Sequence, residues 1–404
     1  MSDDTTTDSV TARRGTSSAP SIGVEEEFLL VDPDTGNPLM LNTAVAASAA
    51  ELGLDLQLEL ARCQVETNSP VCWDAQTLRG HLLRMRSTAA AAAMRHGGRL
   101  IAVGTPLVGP WRLPITDADR YRRMAERFGV LTIEQGVCGC HVHVAVPDRE
   151  TAVQVCNHVR PWLPTLLALG GNSSVHRGVD SGFASWRSIL WSRWPASGPP
   201  PLFDSADHYD RTVATMVDAG VLMDERMVYW DIRPSCHLPT VELRVADVQA
   251  TVGETVMLAT LIRALAMTAI REVERGDPVP AVPLDTLRAA TWLAAREGLC
   301  GSAIDPRIGR PVTSAHMLDA LVAHVHDALD ELGEFRHVRS ALRRQLANGT
   351  GAEWQRRSLR EHGDAVRVVG LAVGRTLDDG VPLAGNVAAT LVPDSPLVPE
   401  AAPE

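Results

Sequence analysis

Residues 22–31 alternate between apolar and polar side chains, a pattern typical of a β-strand, whose successive side chains point to opposite faces. Glu26 shares one face with four apolar side chains, whereas Glu25 and Glu27 share the other face. Acids side by side on the reverse of a buried strand need a cation to hold them, and carboxylate oxygens suit a divalent metal ion. The alternation by itself fits a metal-binding face and an exposed acidic face equally well.

The same pattern predicts five further strands, at residues 54–60, 99–104, 137–146, 227–233 and 240–246. Helical spacing of apolar residues occurs at 74–96, 118–128, 151–169, 254–275, 284–296, 314–332, 336–346, 352–362 and 365–376, so the chain is almost wholly helical from residue 253 onward. Prolines within 151–169 predict a kink or break there. Because strands and helices do not alternate one for one, we predict an α+β fold: an antiparallel sheet with helices on one side.

The chain shows no sharp internal boundary, and residues 21–385 are therefore predicted to form a single domain. Residues 1–20 are polar and predict a disordered lead-in, and residues 386–404 predict a Pro-rich acidic tail of the same kind. The aperiodic stretch 182–201 is long enough for a lid or a binding loop. No apolar run approaches the ~18 residues that span a bilayer, and no signal peptide is visible.

Charge and residue usage narrow the classes of partner and enzyme. The net charge of −11 argues against nucleic acid or an anionic membrane as the main partner. Seven scattered cysteines without an export signal favour reduced thiols and a cytoplasmic location. All 38 basic residues are arginine, which excludes Walker A nucleotidases, protein kinases and pyridoxal-phosphate enzymes because each needs a lysine. Arginine-biased codon usage explains the same absence, but any bound phosphate must then be neutralised by arginine and metal ions.

Two later strands repeat the arrangement of an apolar face backed by paired polar groups. His141 and His143 share one face, and Glu242 and Arg244 share one face of the other strand. Placed in one sheet with the acidic face of the first strand, these groups form a surface suited to metal and phosphate. Each group alone has a simpler interpretation, because a strand histidine is often structural and an exposed Glu–Arg pair contributes only ~0–1 kcal/mol.

Glu59 and Glu66 are further candidates for the same surface. Their spacing would put them on opposite faces of an unbroken strand. A bulge or a turn between them is required if the two carboxylates meet at one site, and the sequence pattern does not reveal it.

Six motifs, taken in order, carry a resemblance to a known family. They are Gly-Val-Glu-Glu-Glu-Phe at 23–28, Gln-Val-Glu-Thr at 64–67, Cys-His-Val-His-Val at 140–144, Ser-Trp-Arg-Ser-Ile-Leu-Trp-Ser-Arg-Trp-Pro at 185–195, Trp-Asp-Ile-Arg-Pro-Ser at 230–235 and Pro-Thr-Val-Glu-Leu-Arg-Val-Ala-Asp at 239–247. Over residues 21–380 the chain resembles the type 2 glutamate–cysteine ligase family of carboxylate–amine ligases, within the glutamine-synthetase-like group.

The resemblance implies a curved, mainly antiparallel sheet that forms a funnel, with helices packed outside. It also implies two or three Mg²⁺ ions in the funnel, with Mn²⁺ as an alternative, and ATP as co-substrate. The implied metal ligands are Glu25, Glu27, Glu59, Glu66, His141 and Glu242. Arg244 and Arg233 correspond to catalytic, phosphate-facing arginines, His143 lies near the nucleotide, and Arg187 and Arg193 correspond to nucleotide or substrate contacts.

The implied activity is ATP-dependent formation of a γ-glutamyl amide through an acyl phosphate. L-glutamate and L-cysteine are the expected substrates, with γ-glutamylcysteine, ADP and phosphate as products. A γ-glutamyl ligase that uses another amine, a phosphotransferase on the same metal-binding surface and a non-catalytic nucleotide-binding regulator are the alternatives. The expected partners are small molecules, and a homodimer is left open.

Overall fold

The strands of the protein form one large sheet and two hairpins. The computed structural model describes residues 19–380, and the structural statements below refer to that part of the chain. The strands are β1 (Ile22–Val31), β2 (Gln57–Leu58), β3 (Gln64–Asn68), β4 (Arg99–Ile101), β5 (Gly139–Ala145), β6 (Val175–His176), β7 (Val179–Asp180), β8 (Ile232–Pro234), β9 (Thr240–Asp247), β10 (Ser302–Asp305) and β11 (Arg310–Thr313).

The helices flank the large sheet and make up most of the second half of the chain. They are α1 (Asn42–Glu51), α2 (Ala75–Arg95), α3 (Asp119–Phe128), α4 (Val130–Ile133), α5 (Arg149–Val159), α6 (Leu163–Leu169), α7 (Trp186–Trp191), α8 (Ala206–Asp218), α9 (Val252–Arg275), α10 (Leu284–Glu297), α11 (Ser314–His324), α12 (His326–Glu331), α13 (Phe335–Asn348), α14 (Gly351–His362) and α15 (Ala365–Thr376). Among residues 19–380, none of these helices combines the length and the apolarity that a membrane span needs.

The large sheet has seven strands in the order β2-β3-β1-β5-β9-β8, with β4 paired to the end of β1. All its pairings are antiparallel, as predicted. In this register Glu27 lies opposite Glu66 on β3, and Glu25 lies opposite His141 on β5. Since directly opposite residues share a face, the polar side chains of neighbouring strands meet on one side of the sheet.

Helices α2, α5, α6 and α9 cover the apolar side of the sheet. Their apolar side chains join those of β1, β5, β8 and β9 in one core cluster. The 24-residue helix α9 begins at a capping box formed by Thr251 and Glu254, and ends at Gly276 in a left-handed conformation. The helical layer therefore fixes the sheet from one side and leaves its polar side open.

A buried ion pair joins β1 to this helical layer. Glu26, on the covered side of β1, pairs with Arg86 of α2, and both side chains are 0% exposed. Arg86 also donates to Thr255 Oγ1 and to three backbone carbonyls that precede α9 or end α15. Thr255 in turn donates its hydroxyl to Glu26 Oε1 at 2.7 Å. A buried pair of charges is tolerated because these hydrogen bonds satisfy it.

Several short elements differ from the sequence-based prediction. The alternating stretch 54–60 predicts a strand, but only its residues in β2 pair with the sheet. After β2 the chain pairs with residues 114–116 instead: Leu60 O accepts from Thr116 N, and Arg62 N donates to Pro114 O. The sequence pattern predicts neither β3 nor the helices α1 and α8. The hairpin β10–β11 interrupts the region predicted to be helical, and the predicted loop at 182–201 contains α7.

Two other predictions concern the middle of the chain and its ends. The predicted break near Pro161 is confirmed, because a 3₁₀ turn at Arg160–Trp162 separates α5 from α6. The predicted strand at 227–233 is wrong for most of its length, since only its end belongs to β8. Residues 1–18 of the predicted lead-in and the predicted tail at 386–404 lie outside the described residues. The single domain at 21–385 stays a prediction.

Candidate active site

The open side of the large sheet forms a cavity of about 320 Å³. Of the residues that the sequence predicts for the site, all but Arg193 line it: Glu25, Glu27, Glu59, Glu66, His141, His143, Arg187, Arg233, Glu242 and Arg244. The alternation of β1, β5 and β9 accounts for six of them directly, since these side chains share the uncovered face.

Glu25, His143 and Glu242 form a first group of metal-ligand atoms, which lie within 4.8 Å of one another; we call it the His143 group. His143 Nε2 lies 3.1 Å from Glu25 Oε1. On its other side, His143 Nδ1 lies 2.9 Å from Thr240 Oγ1, which fixes the orientation of the ring. The register of β5 and β9 produces this meeting, because His143 lies opposite Glu242.

Glu27, Glu59 and Glu66 form a second group with the same spacing, which we call the Glu59 group. A turn between β2 and β3, closed by the hydrogen bond from Gln64 N to Ala61 O, brings Glu59 and Glu66 to one side. The turn therefore meets the requirement that the sequence left open. Glu27 is held in place by the backbone N–H of Gly139, which donates to Glu27 Oε2 at 2.6 Å.

His141 lies between the two groups. Its Nδ1 is 3.1 Å from Glu25 Oε2, and its Nε2 is 3.8 Å from Glu27 Oε1. Burial and the nearby Arg244 lower the pKa of His141, which keeps the ring neutral. Its Nε2 is buried without a hydrogen-bond partner among residues 19–380, so a lone pair on this nitrogen is available to a cation. His143 thus lies in one of the two groups that could hold a metal ion, beside the predicted ligands Glu25 and Glu242, and His141 lies between the two groups.

The pKa values of Glu25, Glu59 and Glu66 are strongly shifted. Burial and the neighbouring Glu27 raise the pKa of Glu59 to about 7, and burial and Glu59 raise the pKa of Glu66 well above its usual value. Glu25 shows the opposite behaviour: burial opposes ionisation, but hydrogen bonds from the two histidines lower its pKa. Crowded acids that supply mainly oxygen donors fit hard divalent cations better than soft transition metals.

Arg233 and Arg244 converge on Glu242. Arg233 Nε donates to Glu242 Oε2 at 2.8 Å, and Arg244 contacts Glu242 Oε1. Burial opposes ionisation of Glu242, but Arg244 and then Arg233 hold its pKa well below the usual value. Arg233 also donates to the carbonyls of Arg226 and Val228, whereas Arg244 Nε has no partner within residues 19–380. Arg244 is therefore the freer of the two to bind an anion.

Arg187 and Arg193 lie on either side of the cavity wall. Arg187, in α7, is 4% exposed, and its guanidinium lies against Gly139, where an added Cβ would come within 2.3 Å of Nη2. Its Nε has no partner in the described residues, so it can reach a ligand. Arg193 instead pairs with Glu134 and donates to Leu190 O outside the cavity.

The cavity also contains residues that the sequence reasoning did not select. They include Gln64, Tyr121, Met124, Gln135, Trp191, Trp194 and Tyr229. Gln64, Trp191 and Trp194 lie within the quoted motifs, and Tyr229 directly precedes one, so the motifs carried a signal for them. Gln135 lies in a segment without periodicity or motif, and nothing in the sequence indicated it.

A comparison of the chain with known protein families identifies the family that it belongs to. Residues 21–370 match the model of glutamate–cysteine ligase family 2. The chain belongs to glutamate–cysteine ligase family 2. The resemblance predicted from the six motifs is thereby confirmed, and the protein is an ATP-dependent ligase.

Two bacterial members of glutamate–cysteine ligase family 2 are similar to nearly the whole chain. A Nocardia farcinica protein, provisionally named glutamate–cysteine ligase 2-1, is 53% identical over 91% of this chain and 96% of its own. A Mycolicibacterium vanbaalenii protein, provisionally named glutamate–cysteine ligase 2-2, is 50% identical over 89% of this chain and 99% of its own.

Solved structures with low sequence identity share the fold. The crystal structure of glutamate–cysteine ligase from Francisella tularensis in complex with AMP has a TM-score of 0.67 at 13% identity, over 89% of this chain and 88% of that chain. A bifunctional glutathione synthetase from Pasteurella multocida has a TM-score of 0.68 at 14% identity, over 89% of this chain and 52% of that chain. The predicted α+β, glutamine-synthetase-like fold is confirmed.

We expect Mg²⁺ to raise the melting temperature more at about pH 8 than at about pH 5.5. Because the pKa of Glu59 rises to about 7 on folding, the metal-free folded protein binds an extra proton below that pH, and its stability falls as the pH rises towards 7. Mg²⁺ binds the ionised carboxylates and removes this loss. The measurement is the melting temperature with Mg²⁺ minus that with EDTA, as a function of pH.

The difference between the melting temperatures with Mg²⁺ and with EDTA also removes the contribution of acids outside the metal site. The buried Asp231, whose pKa burial raises to about 7, contributes equally to both melting curves and cancels. An increment that does not change with pH would contradict the assignment of Glu59 and Glu66 as metal ligands.

Proposed function

We propose that the protein joins the γ-carboxylate of L-glutamate to an amine, with L-cysteine as the amine, and converts ATP to ADP and phosphate. A γ-carboxylate oxygen attacks the γ-phosphorus of ATP, ADP leaves, and an acyl phosphate forms. The amine nitrogen then attacks the acyl carbon, phosphate leaves, and the nitrogen loses a proton. The observation that carries the proposal is the convergence of two acidic ligand groups, His141 and Arg244 in one cavity. The Francisella tularensis ligase of the same fold was solved with AMP, which supports a nucleotide here.

The His143 group and the Glu59 group are proposed to hold Mg²⁺, with His141 Nε2 between them. Bound there, the ions would offset the negative charge on the transferring phosphoryl group. The oxygen-rich donor set favours Mg²⁺, and Mn²⁺ satisfies the same preference.

Arg244 is proposed to bind the phosphoryl oxygens through its guanidinium, which is held at the cavity wall by Glu242. Arg233 is proposed to act mainly through Glu242: two hydrogen bonds to that carboxylate and two to backbone carbonyls fix its position. Arg187, whose Nη2 donates to Arg244 O at 3.3 Å, is proposed to contact the nucleotide or the substrate from the same side of the cavity. His143 is proposed to lie near the nucleotide. The reaction needs no side-chain nucleophile, since the substrate carboxylate is itself the nucleophile.

We also propose a cytoplasmic enzyme that acts on small molecules. The seven cysteines lie in the described residues, and all of them are free thiols, which agrees with a reducing compartment.

The test is ADP release by the purified protein with Mg²⁺, ATP and L-glutamate, with and without L-cysteine. ADP release that depends on both amino acids, with γ-glutamylcysteine as the product, is the expected result. ADP release that does not depend on cysteine but depends on another amine would support the ligase reaction and show that this other amine is the substrate. No release with any amine would overturn the proposal.

A further inference from the structure

A buried amide and a buried indole in the cavity wall lack protein partners. Gln135 is 2% exposed, yet neither its Oε1 nor its Nε2 has a hydrogen-bond partner among residues 19–380. Trp194 is 3% exposed and leaves its Nε1–H without an acceptor in the same part of the chain. Both residues line the active-site cavity. Because a buried polar group without a hydrogen bond destabilises the protein, unpaired groups that border a cavity point to a ligand.

The segments that carry these two side chains are tied together. Arg193, directly before Trp194, pairs with Glu134, directly before Gln135. The ring of Trp194 also packs against Phe128, with centroids 5.2 Å apart, and edge-on against Tyr229 at 5.8 Å. Arg193, which the sequence suggested as a ligand contact, therefore fixes the wall from outside. The indole is thus held by its ring contacts, and the segment that carries Gln135 is tied to it, before a ligand arrives.

This end of the cavity adjoins the Glu59 group. Burial and then the charge of Glu59 raise the pKa of Tyr121, which places this phenol near the carboxylate. Burial also raises the pKa of Tyr229, but the charges of Arg244, Arg120 and Arg233 act in the opposite direction. Tyr229 in turn contacts Trp194. The unpaired amide and indole thus lie on the aromatic side of the metal-ligand carboxylates, where acids and arginines are both near and a ligand with charges of both signs fits.

The chemistry of the ligand follows from the donors and acceptors. A glutamine amide offers two N–H donors and one acceptor oxygen, and the indole adds a third donor. Three donors suit a carboxylate, and the amide oxygen suits an ammonium group. An α-amino acid carries both groups on one carbon atom. A short substrate also fits the position, because the head group of glutamate lies only two methylenes from its γ-carboxylate, whereas adenine lies beyond a ribose and three phosphates.

We propose that Gln135, together with the Trp194 N–H, binds the α-carboxylate and α-ammonium of an amino-acid substrate and thereby selects amino acids. The proposal rests on the ligase function proposed above. The head group belongs either to the amino acid that is phosphorylated or to the one that supplies the amine, and the experiment separates these sources.

The test compares Gln135→Met with the wild type in steady-state ADP release. Methionine keeps the length and much of the volume of the side chain but removes its hydrogen bonds. If the head group is that of glutamate, we expect the KM of glutamate to rise about ten- to hundredfold, while kcat and the KM of ATP stay within about twofold. If it is that of cysteine, we expect the KM of cysteine to rise by a similar factor and kcat to fall with it, because the α-nitrogen of cysteine is the attacking amine. A rise for glutamate or for cysteine identifies the source. Trp194→Phe, which removes only the N–H, is expected to raise the same KM by a smaller factor and carries the test if Gln135→Met does not fold.

Gln345→Met is the matched control. Gln345 is also a buried glutamine with an unpartnered Oε1 among the described residues, but it contacts Leu169 O in the helical layer and does not line the cavity. It is expected to leave all three KM values unchanged. A loss of function caused by general destabilisation would appear in this variant too.

Three results would overturn the inference: unchanged KM values in both cavity variants, a rise confined to ATP, or a fall in kcat alone. If the wild type releases no ADP, the proposed function fails, and calorimetric binding of L-glutamate and L-cysteine in the presence of Mg²⁺ and a non-hydrolysable ATP analogue tests Gln135 separately. Binding to the wild type that weakens in Gln135→Met supports the inference. Equal binding to both, or binding of neither amino acid to the wild type, contradicts it.

Discussion

Glu27→Gln is expected to lower ATP turnover by about a thousandfold while leaving the fold intact. Glu27 belongs to the Glu59 group, and an amide cannot replace its negative charge at a cation. The amide oxygen can still accept the Gly139 N–H, so the contact between β1 and β5 survives. Glu27 is more informative here than Glu242, whose removal would also leave Arg233 and Arg244 without their shared counter-charge.

The measurement is ADP release during a Mg²⁺ titration, with the melting temperature recorded in EDTA to check folding. Glu361→Gln, at an exposed position on α14, is the matched control and is expected to behave as the wild type. Wild-type turnover of Glu27→Gln at saturating Mg²⁺ would remove Glu27 from the metal site.

Arg86→Met is expected to lower the free energy of unfolding by about 3–5 kcal/mol. The substitution leaves the carboxylate of Glu26 buried with only the Thr255 hydroxyl to offset it, and three backbone carbonyls lose their donor. The loss should appear as a lower urea midpoint of unfolding. The molecules that stay folded are expected to bind Mg²⁺ as the wild type does. Two neighbouring residues of β1 would then control different properties: Glu27 would control ATP turnover, and Glu26 would control the stability of the fold.

The double variant Glu26→Gln/Arg86→Met provides the second arm of this experiment. With no uncompensated charge left, it is expected to recover much of the stability that the single variant loses. A single variant that loses less than about 1 kcal/mol would show that water reaches the pair, and would contradict its role in joining β1 to the helical layer.

The sequence predicted the polar side of the large sheet well where strict alternation operates. In β1, β5 and β9 one face is covered by helices, so the period of two assigns the opposite face to six residues: Glu25, Glu27, His141, His143, Glu242 and Arg244. Local pattern is sufficient there because burial on one side fixes the register of each strand.

The same reasoning could not predict contacts that depend on turns or distant segments. Glu59 and Glu66 meet because the chain leaves β2 to pair with residues 114–116 and returns as β3, which no local period encodes. Gln135 lies in an irregular segment, and only tertiary structure shows it buried at the cavity. The alternation did place Glu26 on the apolar side, but its partner Arg86 lies 60 residues away on α2. The resemblance to the family supplied Glu59 and Glu66 as a pair, because the period of the strand left open whether their side chains meet.

The most direct test of the proposed acyl-phosphate chemistry follows the oxygen atoms of glutamate. L-glutamate labelled with ¹⁸O in its γ-carboxylate is incubated with the enzyme, Mg²⁺, ATP and L-cysteine, and the released phosphate is analysed by mass spectrometry. If the carboxylate attacks the γ-phosphorus and phosphate then leaves the acyl carbon, one ¹⁸O atom appears in each phosphate, in step with amide formation. Phosphate that carries no ¹⁸O, while ADP accumulates, would contradict the account.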